Sequence, residues 1–97
     1  MTHGKSVRVL VRDPAAGGSF EEWSGTLDGA GMHFTQSHPP ARRLELRFLL
    51  HGAAAEVRTE AEVVRVDRQG DSFLAHARLE GLSPEDELAV TRFLEGA

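Results

Sequence analysis

Apolar residues recur at every second position in several short segments of this chain, and this alternation limits its fold more than any other feature. The clearest case is the run Leu44, Leu46, Phe48 and Leu50, whose intervening neighbours are mainly charged. Successive side chains of a β-strand point to opposite faces, so this pattern predicts a strand with one face in a core and the other in water. A chain built from such segments is expected to be mostly β-structure.

A glycine-rich corner separates two of these segments. Apolar residues alternate on both sides of it, at Trp23 and Leu27 before the corner and at Ala30, Met32 and Phe34 after it. The dipeptide Asp28-Gly29 suits a tight reversal, because Asp tolerates left-handed backbone and Gly reaches positive φ without a Cβ clash. We expect two antiparallel strands joined by this corner.

The same alternation predicts six strands, at residues 7–12, 20–27, 30–34, 43–50, 56–66 and 73–79. Phe34 is expected to close the third strand, because the prolines that follow have no N–H for a ladder. The adjacent Val63 and Val64 break the alternation and indicate either a β-bulge or a strand end that is covered on both faces. Residues 51–53 and 67–71 are expected to form the turns that precede and follow this strand.

A helix is predicted at about 84–95. Ser83 is a favourable N-cap, Pro84 suits the first helical position, and acidic residues follow where the positive end of the helix dipole lies. Gly96 is the expected stop. An apolar stripe, Ala89, Val90, Phe93 and Leu94, should dock on the sheet, whereas Leu88 falls off it. Six short strands and one terminal helix predict an all-β fold, a small six-stranded antiparallel β-barrel with a C-terminal helix, formed by residues 1–97 as a single domain.

Composition narrows the function classes. A net charge of −4 argues against non-specific binding of DNA or RNA, and no apolar run is long enough to span a bilayer. The N-terminal residues lack the apolar stretch of a secretion signal, so a cytoplasmic protein is expected. The absence of cysteine excludes thiolate zinc sites and cysteine nucleophiles. No catalytic arrangement stands out, and no two histidines have the short spacing of a metal motif, so we expect neither an enzyme nor a metal site, with the histidines on the surface or in turns.

The order of elements resembles the PilZ domain, a bacterial regulatory module. The resemblance covers about residues 7–96 and is carried by the segments 44–48, 63–66 and 79–86. It implies a role in motility, in the type IV pilus or in second-messenger signalling. Many members of the family bind cyclic di-GMP, through an RxxxR segment ahead of the first strand and a D/N-x-S-x-x-G motif after the second.

This chain departs from both family motifs. Arg8 and Arg12 have the RxxxR spacing but lie within the predicted first strand, and of the second motif's positions, Thr26, Asp28 and Gly31, only the glycine matches. If cyclic di-GMP binds, the resemblance assigns the contacts to Arg8, Arg12, Asp28 and Gly31. Arginine forks suit phosphates and guanine edges, and an acidic turn residue accepts guanine N–H groups.

Plainer alternatives exist for each of these residues. The arginines, with Arg42, Arg43 or Arg47, form either a reduced phosphate site or a solvated strand face. Asp28 accepts a guanine N–H or simply closes a turn.

Four leucines break otherwise polar faces or stripes and are candidates for contact with another protein: Leu10, Leu49, Leu74 and Leu88. The alternative is that the first three lie under the terminal helix. Together with the altered motifs, these leucines favour a PilZ-like module that acts by protein–protein contact, with a degenerate nucleotide site. A working cyclic di-GMP receptor is the alternative function.

Overall fold

A computed structural model describes residues 4–50 and 56–95 of the chain. Its elements are β1 Lys5–Arg12, β2 Glu21–Asp28, β3 Gly31–Gln36, β4 Arg43–Phe48, β5 Val57–Gln69, β6 Ser72–Glu80 and α1 Pro84–Glu95. The strands close into a barrel in the order β1-β2-β3-β6-β5-β4, and every neighbouring pair is antiparallel. The predicted six-stranded antiparallel barrel with a C-terminal helix is confirmed.

The inward residues of all six strands fill the barrel with apolar side chains. The largest fully buried ones are Phe34, Phe48, Leu27, Met32, Leu44, Leu46, Leu50, Val9 and Val57. Alternation explains this set, because residues at every second position share the face that is removed from water. Since side chains occupy the interior, the groups available for recognition lie on the outer face.

Gly25 of β2 makes room for the largest of these side chains. A Cβ at this position would lie 2.9 Å from the ring of Phe34 and 3.2 Å from the sulfur of Met32. Trp23 packs edge-on against the same Phe34 ring, with ring centroids 5.3 Å apart. Gly25, between Trp23 and Leu27, therefore improves core packing, because its missing side chain leaves space for the ring of Phe34.

Helix α1 begins as the sequence predicts. The amide of Asp86 donates to Oγ of Ser83 at 3.1 Å, which caps the first turn. The predicted stripe of α1, Ala89, Val90, Phe93 and Leu94, packs against the core, while Leu88 is 50% exposed. No helix among the described residues has the length and apolar character needed to cross a membrane. The predicted stop at Gly96 lies outside the described residues.

Several predicted strand ends are wrong by a few residues. Strand β3 continues beyond Phe34 to Gln36, because Thr35 and Gln36 pair with Leu74 and Phe73 before the prolines begin. Strand β5 runs on to Gln69, so the loop predicted at 67–71 shrinks to a turn at residues 70–71. Strand β4 ends at residue 48. The turn expected at 51–53 lies outside the described residues.

Of the two alternatives for the adjacent Val63 and Val64, the β-bulge is the one found in β5, where the register shifts between Val63 and Arg65. Val63 pairs with Ala77 and Arg65 pairs with His76, so Val64 has no partner in the ladder. The extra residue changes which side chains share a face. Arg65 and Asp67 therefore lie on the outer face beside His76, whereas uninterrupted alternation from Val63 would have turned them inward.

Candidate functional site

The carboxylate of Asp28 closes the turn between β2 and β3. Its Oδ1 accepts the amide of Ala30 at 2.7 Å and that of Gly31 at 3.1 Å. The turn differs from the sequence prediction in one respect, because the positive φ falls on Gly31, at 140°, and not on Gly29. A Cβ on Gly31 would overlap the carbonyl oxygen of Ala77 in β6. Asp28 and Gly31 thus both have structural roles at this turn.

The second oxygen of Asp28 reaches outward to a histidine. Oδ2 lies 2.8 Å from Nε2 of His33, which follows the turn in β3. Partial burial raises the pKa of Asp28, but the Ala30 amide, the His33 ring and the Gly31 amide outweigh it, so that the pKa lies below its ordinary value. Asp28 is therefore a carboxylate that accepts hydrogen bonds on both oxygens.

His33 is half of a cross-strand histidine pair. It stands opposite His76 of β6, with the two Nδ1 atoms 2.8 Å apart and the rings nearly perpendicular at 84°. The side chains are 21% and 26% exposed, so both rings lie half-buried on the outer face. The sequence predicts histidines on the surface or in turns, and these two lie on the outer surface of β3 and β6.

A second carboxylate holds the far side of this pair. Oδ2 of Asp67 in β5 lies 3.0 Å from Nε2 of His76, and Oδ1 of Asp67 accepts Nε of Arg65 at 2.9 Å. The hydrogen bonds from Arg65 and His76 hold the pKa of Asp67 below its ordinary value. The result is a continuous chain of Asp28, His33, His76 and Asp67 across four strands, which we call the histidine relay.

The hydrogen-bond partners in the histidine relay limit which ring nitrogens can carry a hydrogen. An ionised carboxylate only accepts, so the Nε2 atoms of His33 and His76 must both carry hydrogen. Each neutral ring then has a bare lone pair at Nδ1, and the two Nδ1 atoms lie 2.8 Å apart. Two acceptors at that distance repel. A positively charged species between the rings, either a proton or a metal ion, removes the conflict.

A shallow depression of about 570 Å³ adjoins His33 on the outer face of β1, β2, β3 and β6. Small polar residues make up much of its floor, including Ser24, Thr26 and Thr35, and Arg8 lies at its β1 side. The Arg8 side chain is 87% exposed and approaches Glu22 at 3.6 Å. An exposed guanidinium over small hydroxyl side chains is able to bind a phosphate.

Arg12 shares a strand face with Arg8 but has a different environment. Its guanidinium forms a 2.6 Å ion pair with Glu45 of β4, and its Cζ lies 4.7 Å from the ring centre of Phe20. Arg47 approaches the same ring at 4.4 Å. Arg12 is therefore held at the junction of β1 and β4, while Arg8 faces the depression beside β2.

Arg42 and Arg43, the other arginines considered for a phosphate site, lie among carboxylates. Arg43 contacts Glu60, Glu62 and Glu80 at 3.2, 3.9 and 3.3 Å, and Arg42 approaches Glu62 at 4.0 Å. The bond from Glu60 and the nearby charge of Glu80 raise the pKa of Arg43 above its ordinary value. This ion-pair cluster offsets much of the positive charge that a phosphate would need.

The four candidate contact leucines divide into three places. Leu10, 37% exposed, and Leu49, 66% exposed, belong to the outer faces of the neighbouring chain segments at β1 and β4. Leu74 is half-buried on β6 beside Thr35 and lines the depression that Arg8 also lines, and Leu88 lies on α1. Leu10 and Leu49 are thus the pair that the fold brings to one side.

Two features of the surface were not predicted from the sequence. Val64 and Val66, which are 57% and 42% exposed, add apolar surface to β5. The histidine relay joins residues up to 43 positions apart, so no short spacing signals it. A hint lies in the alternation itself, because residues 33 and 76 each fall on the outward phase of a strand between buried apolar residues.

Comparison with models of protein families, with curated proteins and with solved structures gives no match for this chain.

Proposed function

We propose that this chain is a non-enzymatic, PilZ-like regulatory module of a bacterial cytoplasm that acts by contact with another protein, in motility, the type IV pilus or second-messenger signalling. The kinship rests on the sequence resemblance, and the barrel with a C-terminal helix has the architecture that the resemblance implies. A filled interior leaves recognition to the outer face.

The observation that carries this proposal is the exposure of Leu10 and Leu49 on neighbouring segments. Leu10 pairs with Arg47, and Leu49 follows two residues later on the same outward phase of the chain. A partner that covers exposed leucine side chains removes their apolar area from water, which stabilises the complex by roughly 25 cal/mol per Å². The flanking Arg8 and Arg47 would supply the polar rim that such contacts usually have.

Charge introduction at this surface tests the proposal. Leu10→Glu with Leu49→Glu should abolish cross-linking to a defined partner, while the melting temperature stays within a few degrees of the parent because both side chains face water. Val64→Glu is the matched control, since Val64 is 57% exposed on another strand. Leu88→Glu asks separately whether the helix takes part. Only non-specific partners, or a partner that all these variants retain, would contradict the proposal.

A working cyclic di-GMP receptor is the second candidate, favoured by one observation. Arg8, Thr26 and His33 line the same depression, next to the turn of Asp28. Calorimetric titration with cyclic di-GMP decides between the candidates. Receptor function predicts micromolar or tighter binding that Arg8→Ala removes and Arg12→Ala weakens. If no heat of binding is detected at high ligand concentration, the receptor function is ruled out and the proposal of protein–protein contact is unaffected.

A further inference from the structure

We propose that His33 and His76 form a binding site for a divalent transition-metal ion of the Cu²⁺ or Ni²⁺ type, held between their Nδ1 atoms. The site belongs to the outer face of β3 and β6 and is independent of the proposed function. Among the described residues no group of three or more His, Asp and Glu side chains is placed to hold a metal. The two imidazoles are therefore the protein ligands, and water completes the shell.

The ring nitrogens of the two histidines are in a state that favours a metal ion. Asp28 and Asp67 accept from the two Nε2 atoms, which leaves both Nδ1 lone pairs directed into the gap between the rings. Metal ions bind the neutral imidazole through such a lone pair. A metal ion in the gap satisfies every nitrogen of the pair with both rings neutral.

The pair of carboxylates behind the rings also favours a metal ion. A metal-bound histidine characteristically donates its other ring N–H to a carboxylate or carbonyl, which fixes the tautomer and raises the basicity of the ligand. Here Asp28 stands 2.8 Å from His33 and Asp67 stands 3.0 Å from His76. Both rings are thus oriented and polarised in the manner of metal ligands before a metal arrives.

The distance between the two Nδ1 atoms and the charges around them suit a divalent ion. Metal–nitrogen bonds of about 2.0–2.1 Å that reach nitrogens 2.8 Å apart meet at an angle of about 90°. That angle suits neighbouring positions in the square-planar or tetragonal shells of Cu²⁺ and Ni²⁺. The negative charges of the two carboxylates exceed the single positive charge of Arg65, which faces Asp67. The positive charge of Arg8 at the depression is paired with Glu22. Exposure of about a quarter of each ring leaves a path from solvent.

The test needs a chain in which these are the sole histidines. The sequence has five, so the reference chain is untagged and carries His3→Ala, His38→Ala and His51→Ala. Titration with Ni²⁺ or Cu²⁺ alone should show one ion per chain. His33→Ala or His76→Ala should each lower the affinity by more than the factor of about 10–100 expected for loss of an outer-shell partner.

Asp28→Asn and Asp67→Asn test the carboxylates. Both keep an oxygen that accepts the ring N–H but remove its charge, so metal affinity should fall about 10–100-fold while the fold is retained. Asp71→Asn makes the same change of charge at an exposed turn outside the histidine relay and should leave the affinity unchanged. If Asp28 acts only in the turn, the metal affinity of Asp28→Asn should not differ from that of Asp71→Asn.

One measurement needs no variant of the pair and so avoids any question of folding. Substoichiometric Cu²⁺ added to the reference chain should broaden the ring proton signals of His33 and His76 before all others. The proposal is overturned if neither ion binds at millimolar concentration, if binding survives loss of either ring, or if the pair holds only a proton that neither ion displaces.

Discussion

At the scale of single residues, Gly31 connects the β2–β3 turn to the barrel wall. Its φ of 140° lies where a side chain is strained, and the carbonyl of Ala77 occupies the space that a Cβ would need. Asp28 works on the same turn from the other side by accepting the amides of Ala30 and Gly31. Because Asp28 also binds His33, the geometry of this turn positions the histidine relay.

Gly31→Ala should lower the free energy of unfolding by about 1–3 kcal/mol, because the variant strains the backbone and pushes β3 from β6. Gly29→Ala is the matched control. Gly29 lies in the same turn without positive φ, and a Cβ there would have nothing within 4 Å, so the change in unfolding free energy should stay within about 0.5 kcal/mol. Urea unfolding measures both, and equal losses would contradict this account.

At the scale of elements, α1 depends on its start as well as on its packing. Of its described residues none is fully buried, and its stripe is only partly covered by the barrel. The cap from Ser83 and the acidic first turn, with Glu85, Asp86 and Glu87, therefore contribute a sizeable share of its stability.

Ser83→Ala should destabilise α1 by about 1 kcal/mol, because the Asp86 amide loses its acceptor. Ser83→Asp should restore stability to near the parent value, since a carboxylate accepts the same amide and its charge is favourable at a helix N-terminus. Far-ultraviolet circular dichroism during thermal unfolding follows both. The explanation fails if the Asp variant loses as much as the Ala variant.

At the scale of the whole molecule, barrel closure rests on the seam between β1 and β4. Its ladder runs only from Leu10 to Arg12, whereas β5 and β6 pair along most of their length. The 2.6 Å ion pair between Arg12 and Glu45 spans this seam, and Phe20 stacks on the Arg12 guanidinium. A short ladder fastened by one charged pair is where local opening should begin.

Amide hydrogen exchange should therefore be faster along the β1–β4 seam than along β5–β6. Arg12→Ala should speed exchange at the seam several-fold, since it removes both the ion pair and the stacking on Phe20. Arg8→Ala controls for loss of charge on the same face, because Arg8 is 87% exposed and makes a loose contact at 3.6 Å. Uniform exchange around the barrel, or equal effects of the two variants, would refute this.

The order and type of the elements followed from the sequence because the signals are local. Alternation in 43–50 reports which side chains can enter a core, and the Ser83-Pro84 pair with its acidic neighbours marks a helix start whatever surrounds it. Strand ends were less predictable. Thr35 and Gln36 extend β3 because β6 offers them partners, and those partners lie 39 and 37 positions away in the chain.

What the sequence determined by itself was the alternation that sends one face of each strand inward and the end signals of the helix, since both act between near neighbours along the chain. Only the tertiary structure decided that His33 meets His76 and that Asp67 reaches them, because the first needs β3 beside β6 and the second needs the bulge at Val64 to change the phase of β5. Contacts between distant segments depend on register, and one residue of register decides which face a side chain takes.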